Sequence, residues 1–326
     1  MRELPYEPTA LRPLGRIMDL TDGGWTVWDN SPIWGDDGLV HLFSCRWLPD
    51  DPERPDQTWF LGSQVVHAVA ERPEGPYTIR DVVLDTDGSD RAWDSSGVIN
   101  PKIYRLRDRR YVLAYTGCTA SRHDTQAIGL LVADSLDGPW TRLADDAPLI
   151  APAADRSGVD GYICNNPALL EHPDGGLWLY YKARDVSGFR DDGSPIAGGM
   201  RICLATAERL EGPYTKHPAN PLINPHPALF EDPYVWHQDG AFWLLASDMT
   251  VKSHGGLLFR SADGIAWGEP VVAYPEAQSF TGHSKQRLEE PNLLFGPDGR
   301  PTHLFNILGS HPDDPRWSGH VFALEG

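Results

Sequence analysis

The stretch Glu231-Asp232-Pro233-Tyr234-Val235-Trp236-His237-Gln238-Asp239-Gly240-Ala241-Phe242-Trp243-Leu244-Leu245-Ala246-Ser247-Asp248 reads as one hairpin. A proline follows acidic residues, a short apolar strand runs to an Asp-Gly turn, and an aromatic and Leu-rich strand returns. The same order occurs four more times, from Asp29, Ile99, Asn165 and Glu289. The prolines of the five copies are Pro32, Pro101, Pro167, Pro233 and Pro291, spaced 69, 66, 66 and 58 residues apart. A period of that length, with several short strands in each unit, predicts blades arranged around an axis.

A second repeat follows the first. An Ala-rich strand and then Gly-Pro-aromatic end the units at His67–Thr78, Leu130–Thr141 and Cys203–Thr215, with a degenerate copy at Leu257–Glu269. Gly-Pro sets a turn and the aromatic opens an outer strand. The fold expected is all-β: a five-bladed β-propeller with four antiparallel strands per blade. It occupies residues 1–326 as a single domain, with 1–25 supplying the ring-closing segment. A two-sheet sandwich would not show so long a period.

Composition bounds the partners. A net charge of −18 argues against nucleic acid or an anionic membrane, which require clustered Lys and Arg. Cys45, Cys118, Cys164 and Cys203 have no metal-type spacing and read as buried thiols. No apolar run follows Met1 or is long enough to span a membrane, so a cytoplasmic protein is the simplest expectation and a processed secreted form stays open. Oligomeric state is not readable.

In a propeller the polar residues that start each inner strand converge on one axis. These are Asp29, Asn30 and Ser31 beside Trp28; Asp94 and Asn100 beside Trp93; Asn165, Asn166 and Asp160; Glu231 and Asp232; and Glu289 and Glu290. Carboxyl groups sharing a low-dielectric pocket are driven to different pKa values, one protonated and one ionised. Glycoside hydrolysis needs that arrangement, and tryptophan faces suit a sugar ring. A carbohydrate substrate is therefore expected.

The chain resembles the five-bladed propeller glycoside hydrolases of family 43 and its relatives, families 32, 62, 68 and 117. The resemblance runs through the five-blade pattern and the turns at Ala133–Trp140 and Ala207–Tyr214. It implies a blade-one Asp as general base, a blade-three Asp that tunes pKa, and a blade-four Glu as general acid. Glu231, two residues before Pro233, matches the acid, with Asp232 where the family has glycine. Asp29 is the base candidate, but Ser31 holds the position directly before Pro32, so a local bulge is needed to aim Asp29 inward. Asn166 stands where the modulating Asp is expected; Asp160 or a carboxylate of another blade would replace it. Glu289 has the same offset from its proline as Glu231 and is the candidate third carboxylate, paired with Arg287.

Thr281-Gly282-His283-Ser284 resembles the Gly-His motif that precedes the last blade in that family, making His283 a site candidate ahead of His254. Trp28, Trp93, Asn100, Asn166, Asp232, His283 and Arg287 are the expected substrate-binding set. No cofactor is required, and an axial Ca²⁺ or other cation is compatible with the resemblance.

The expected activity is exo-hydrolysis of an arabinofuranosyl, xylosyl or galactosyl bond with inversion. Loops at 47–59 and 185–200 would wall the pocket. Inversion corresponds to catalytic carboxyl groups roughly 6.5–9.5 Å apart, retention to about 5–5.5 Å. The alternatives are a non-catalytic sugar-binding propeller and a retaining fructosidase-like hydrolase, whose Asn-Asp-Pro-Asn, Arg-Asp-Pro and Glu-Cys motifs are missing in matching order. Phosphorolysis would draw on Lys182, Arg184 or Arg46. A protein-binding scaffold is the weakest reading.

Overall fold

The structure, a computed structural model, describes the chain except residues 1–3, 9, 19–22, 49–60, 87–91, 120–121, 145, 225–229, 251–253, 310–315 and 325–326. It is a five-bladed β-propeller of five four-stranded antiparallel sheets. Strand β1 (Leu11–Ile17) precedes blade one, which is β2 (Thr26–Trp34), β3 (Val40–Trp47), β4 (Gln64–Ala70) and β5 (Thr78–Leu84). Blade two is β6 (Gly97–Arg105), β7 (Tyr111–Cys118), β8 (Ala127–Ala133) and β9 (Thr141–Arg142). Blade three is β10 (Ile163–Glu171), β11 (Leu177–Phe189), β12 (Pro195–Ala207) and β13 (Thr215–Lys216). Blade four is β14 (Phe230–Gln238), β15 (Ala241–Asp248), β16 (Gly255–Ser261) and β17 (Val271–Tyr274). A short helix α1 (Gln278–Thr281) leads to β18 (Arg287–Phe295), β19 (Pro301–Gly309) and β20 (Ser318–Leu324). Strand β1 is the outer strand of this last sheet, pairing Leu11 with Leu324 and Ile17 with Gly319, so the two ends of the chain share one blade.

The inner strands are buried on both faces because each sheet packs between two others, while outer strands such as β5 are partly exposed. β7 is buried along its whole length, which accounts for its apolar run from Tyr111 to Tyr115. One apolar cluster fills each gap between neighbouring blades. Phe43 and Val65 meet Leu113 and Tyr115 between blades one and two, and Val112 and Ile128 meet Leu169 and Tyr181 between two and three. Tyr180 and Leu204 meet Val235 and Leu244 between three and four. Trp243 and Leu258 meet Leu288 and Leu304 between four and five, and Phe305 and Val321 meet Val27 and Leu42 where the ring closes. Each fully buried side chain of this size contributes about 1.5–3 kcal/mol.

The Gly-Pro-aromatic repeat has a local cause. Gly75, Gly138 and Gly212 sit at φ of +81°, +81° and +83°, where a side chain would be strained. Their N–H groups close turns onto the carbonyls of Arg72, Ser135 and Arg209. The next aromatics, Tyr77, Trp140 and Tyr214, turn into the gaps between blades.

The five inner strands β2, β6, β10, β14 and β18 share a further feature. Each is interrupted at one place by a bulge, between Trp28 and Ser31, Ile99 and Lys102, Asn165 and Ala168, Glu231 and Tyr234, and Glu289 and Asn292. The first bulged residue is always left-handed: Asp29 at φ 61°, Asn100 at 52°, Asn166 at 47°, Asp232 at 60° and Glu290 at 53°. Such a residue costs on the order of 1–3 kcal/mol unless its surroundings hold it there. Bulges re-aim side chains, and here five of them bring their side chains together.

Candidate active site

The register of the bulges decides which residues are equivalent. In blades two to five the residue directly before the proline is the left-handed one. In blade one Asp29 takes that position and Asn30 takes the proline's. The expectation that Pro32 belongs to the series with the other four prolines is thus corrected: it lies two residues further along β2. Asn30 holds its place by accepting from Ser44 Oγ at 2.9 Å and donating to the Asn306 carbonyl at 3.3 Å. The bulge required to aim Asp29 at the ring exists.

Asp29, Asn100, Asn166, Asp232 and Glu290 are joined by hydrogen bonds that meet at Glu290. Asn100 donates its backbone N–H to Asp29 Oδ2 at 2.9 Å and its Nδ2 to Glu290 Oε1 at 2.9 Å. Asn166 Nδ2 donates to Asp232 Oδ1 at 2.7 Å and to Glu290 Oε1 at 3.0 Å. Ser247 Oγ donates to Asp232 Oδ2 at 2.7 Å, and Trp28 Nε1 reaches Glu290 Oε1 at 3.2 Å. Asn166 therefore links the two carboxyl groups of blades four and five. Asp160 does not replace it: Asp160 pairs with Lys216 at 2.5 Å and accepts from Tyr181 Oη at 3.0 Å, outside the pocket.

Above this group lies a pocket of about 300 Å³. Asn100, Asn166, Asp232 and Glu290 form part of its floor. Trp28, Trp47, Trp317, Glu231, Glu289, Lys182, Arg184, Arg287 and His123 are among its walls. Glu231 and Glu289 occupy equivalent positions, one residue before the left-handed residue of their strands. Trp28 meets Trp317 edge-on with ring centroids 4.6 Å apart and tilts against Trp47 at 6.1 Å. Arg287 lies over the Trp317 ring at 5.0 Å and 3.3 Å from Glu289, whose other neighbour is His254 Nδ1 at 2.5 Å.

A larger concavity, about 420 Å³, opens at the far ends of the same strands. Its one lining carboxylate among the described residues, Glu171, accepts from the backbone of Arg107. Of these two concavities the smaller is the one that gathers several carboxyl groups among the described residues, so the chemistry is placed there.

Electrostatics divide the carboxyl groups. Burial pushes the Asp29 carboxyl up to about 6, against the bond to Glu290 and the charge of Lys102, which lower it. Burial raises Glu290 well above the usual carboxylate range, and the Asp29 charge adds to this. Burial, then Glu290 and Glu231, do the same to Asp232. Glu231 goes the other way. Burial alone would raise it, but its contact with the Lys182 ammonium outweighs burial and holds it below the ordinary value. His123 is lowered to about 4 by burial and by Lys182 and Arg184, so it is neutral above that pH.

Several sequence candidates fall outside the pocket. Trp93 stacks on Tyr115 at 5.6 Å and lies against Gly117 and Gly129, where a Cβ would collide with its ring, so it belongs to the blade-two core. His283 is exposed just past α1 and is not a lining residue, whereas His254 is buried against Glu289. Asp29 is completely buried beneath the floor and does not line the pocket. Lys182 and Arg184, weighed only for phosphorolysis, do line it. Of the two expected loops, residues 185–200 run along β11 and β12, and Met200 reaches the wall; most of 47–59 lies outside the described residues.

The sequence placed Glu290 at the axis without a catalytic or binding role and Trp47 at the start of a wall loop, and it did not single out Trp317. For Glu290 a signal existed, since it directly precedes Pro291 as Asp232 precedes Pro233.

The family model for glycosyl hydrolases family 43 matches residues 77–282. No curated protein matches the chain. Among solved structures, a family 117 glycoside hydrolase from the marine bacterium Zobellia galactanivorans superposes with a TM-score of 0.72 at 17% identity, covering 98% of this chain and 92% of its own. An alpha-L-arabinofuranosidase from Lactobacillus brevis gives 0.64 at 14% identity, covering 91% and 90%. An endo-arabinase from Bacteroides thetaiotaomicron gives 0.59 at 14% identity, covering 91% and 94%. At these identities the structures show a shared fold.

Proposed function

The chain belongs to glycosyl hydrolases family 43, and from that premise we propose that it removes a terminal arabinofuranosyl, xylosyl or galactosyl unit from an oligo- or polysaccharide with inversion. The observation that carries this is the meeting, at one tryptophan-walled pocket, of an accessible carboxyl group on blade four and the floor carboxyl Glu290 on blade five, which is backed by the buried Asp29 of blade one. Glu231, with 15% of its side chain exposed, is the group a glycosidic oxygen can reach. It donates the proton to the leaving oxygen. Glu290 on the floor and Asp29 in contact beneath it form the opposite pole; burial raises both carboxyl groups, Asp29 to about 6, and attacking water would meet the pair at Glu290. The pocket's small volume supports exo-action on one sugar.

The contact with Lys182 bears on the donor, because a carboxyl must hold a proton to give one. As the pocket stands, Lys182 keeps Glu231 ionised. Substrate entry has to separate the pair for Glu231 to act. The second reading takes the charges as they are, with Glu290 as donor and Glu231 as base. Under the first reading Lys182→Met removes the stabilising charge from the free enzyme, raises the Glu231 pKa and moves the alkaline limb of kcat/KM upward by about one pH unit or more. A pH–rate profile checks this, and an unmoved alkaline limb favours the second reading.

The activity is tested on a panel of arabinofuranosyl, β-xylosyl, galactosyl and fructosyl oligosaccharides. Products are separated by chromatography and the anomer first released is read by NMR. Release of an inverted monosaccharide supports the proposal. A retained anomer overturns inversion, and binding without turnover on every substrate leaves a sugar-binding propeller.

A further inference from the structure

We propose that Lys102 is the axial cation of this propeller, a built-in counter-charge beneath the pocket floor that keeps one carboxylate of the ring ionised and makes a bound metal there unnecessary.

Lys102 is two residues beyond the left-handed Asn100 on β6. At the same level the other inner strands carry Ser31, Ala168, Tyr234 and Asn292, none of them a cation. The side chain is wholly buried. Its ammonium donates to the Pro233 carbonyl at 2.7 Å, and the Tyr234 ring centre is 5.8 Å from Nζ. Pro233 is on blade four and Lys102 on blade two. These blades are not neighbours, so the side chain spans the axis.

The charged groups facing it come from three strands, Asp29 on β2, Asp232 on β14 and Glu290 on β18. Further out, on the pocket side, Lys182 and Glu231 form a pair that also acts on Asp232. The remaining neighbours, Ser31, Asn292 and the Tyr234 ring, are uncharged.

An ammonium taken out of water is penalised by several kcal/mol unless opposite charge compensates it. Burial accordingly lowers the Lys102 pKa, and Glu290, Asp232 and Asp29 raise it again. The converse holds for the carboxyl groups. The Lys102 charge lowers Asp29 and Glu290, so removing it drives both further from ionisation.

Both Asp29 oxygens, both Asp232 oxygens and Glu290 Oε1 already accept N–H or O–H bonds. Glu290 Oε2, Asn100 Oδ1 and Asn166 Oδ1 accept none, so the calcium arm of the test below decides between the ammonium and a metal as the counter-charge. Lys102 touches no group that meets substrate and acts through the carboxyl groups, as a positioning residue.

The test compares wild type with Lys102→Met and Lys102→Arg. Thermal unfolding followed from about pH 4 to about pH 9 needs no substrate and does not depend on the glycosidase reading. At the acid end the carboxyl groups are neutral and the ammonium is uncompensated, so Lys102→Met should melt above wild type. At the alkaline end a carboxylate has lost its counter-charge, so the variant should melt below wild type. A difference in Tm of one sign and constant size overturns the proposal, because a residue that merely packs would behave that way.

Wild-type Tm should be unmoved by millimolar CaCl₂ or by EDTA; a calcium-dependent rise overturns the proposal even if Lys102→Met does not fold. The activity arm alone rests on the proposed function. There the acid limb of kcat/KM should move upward by about one pH unit in Lys102→Met and stay in place in Lys102→Arg. Loss of kcat in both variants without movement of the limb counts against Lys102 setting the charge.

Discussion

Glu231→Gln is expected to lower hydrolysis of an unactivated oligosaccharide by ~10²–10⁴-fold, the usual contribution of a general acid. Gln keeps the shape and can accept a bond from Lys182, but it has no proton to give. The loss should be small on an aryl glycoside with a good leaving group, which departs without protonation. That split distinguishes a donor from a residue that only binds sugar, since a binding residue lowers both substrates alike. Comparing kcat/KM on the two substrates, with tryptophan fluorescence to confirm ligand binding, gives the result. Near-full activity of Glu231→Gln on the natural linkage would remove Glu231 from catalysis. A split shown by Glu290→Gln instead would transfer the donor role to blade five.

Asp29→Asn should abolish most turnover and yet make the protein more stable at neutral pH. The folded Asp29 pKa, about 6, lies above its ordinary value of 3.8. For an acid this means that the folded state binds the proton more tightly than the unfolded chain, so wild-type stability falls as pH rises from about 4 to about 6. At about 1.36 kcal/mol per unit, up to about 3 kcal/mol is lost above that window. An uncharged Asn does not incur this loss, although Lys102 then loses part of its counter-charge and reduces the gain. Asn can still accept from Asn100 N through its carbonyl oxygen. Melting curves should therefore coincide near pH 4 and separate by several degrees near pH 8, with the variant higher. A variant less stable at every pH would show that the hydrogen bonds of the charged group outweigh its burial.

The two effects share one origin. The Asp29 carboxyl, wholly buried and enclosed by Asn100 and Glu290, is held away from water, which raises its pKa into a range useful for a base and costs the fold stability.

Much of this was legible before any coordinates. Gaps of 66, 66 and 58 residues between the equivalent prolines of blades two to five state the blade, and Gly-Pro-aromatic states its outer turn. Glu231 stood out because, two residues before Pro233, it matches the acid motif of the family the chain resembles. Pro32 misled, because a register read from proline places Asp29 two residues too early, and only the paired strands show Asn30 at the proline's position. Trp93 and His283 misled for another reason. Proximity to a strand start does not say which face of the blade a side chain takes, and Trp93 turns onto Gly117 and Gly129. Glu290 was placed at the axis but Glu289 was given the third-carboxylate role, because both precede the same proline and the choice between wall and floor depends on which one adopts φ 53°.

The sequence by itself determined the architecture, the number of blades and the kind of chemistry, because repetition, alternation and turn residues act over a few positions and are written locally. Tertiary structure alone decided the protonation pattern. Lys182 meets Glu231 across 49 residues and Lys102 reaches Pro233 across 131. Those meetings arise only when the ring closes. A carboxyl group's pKa depends on its burial and on charges within a few ångströms, whatever their separation along the chain.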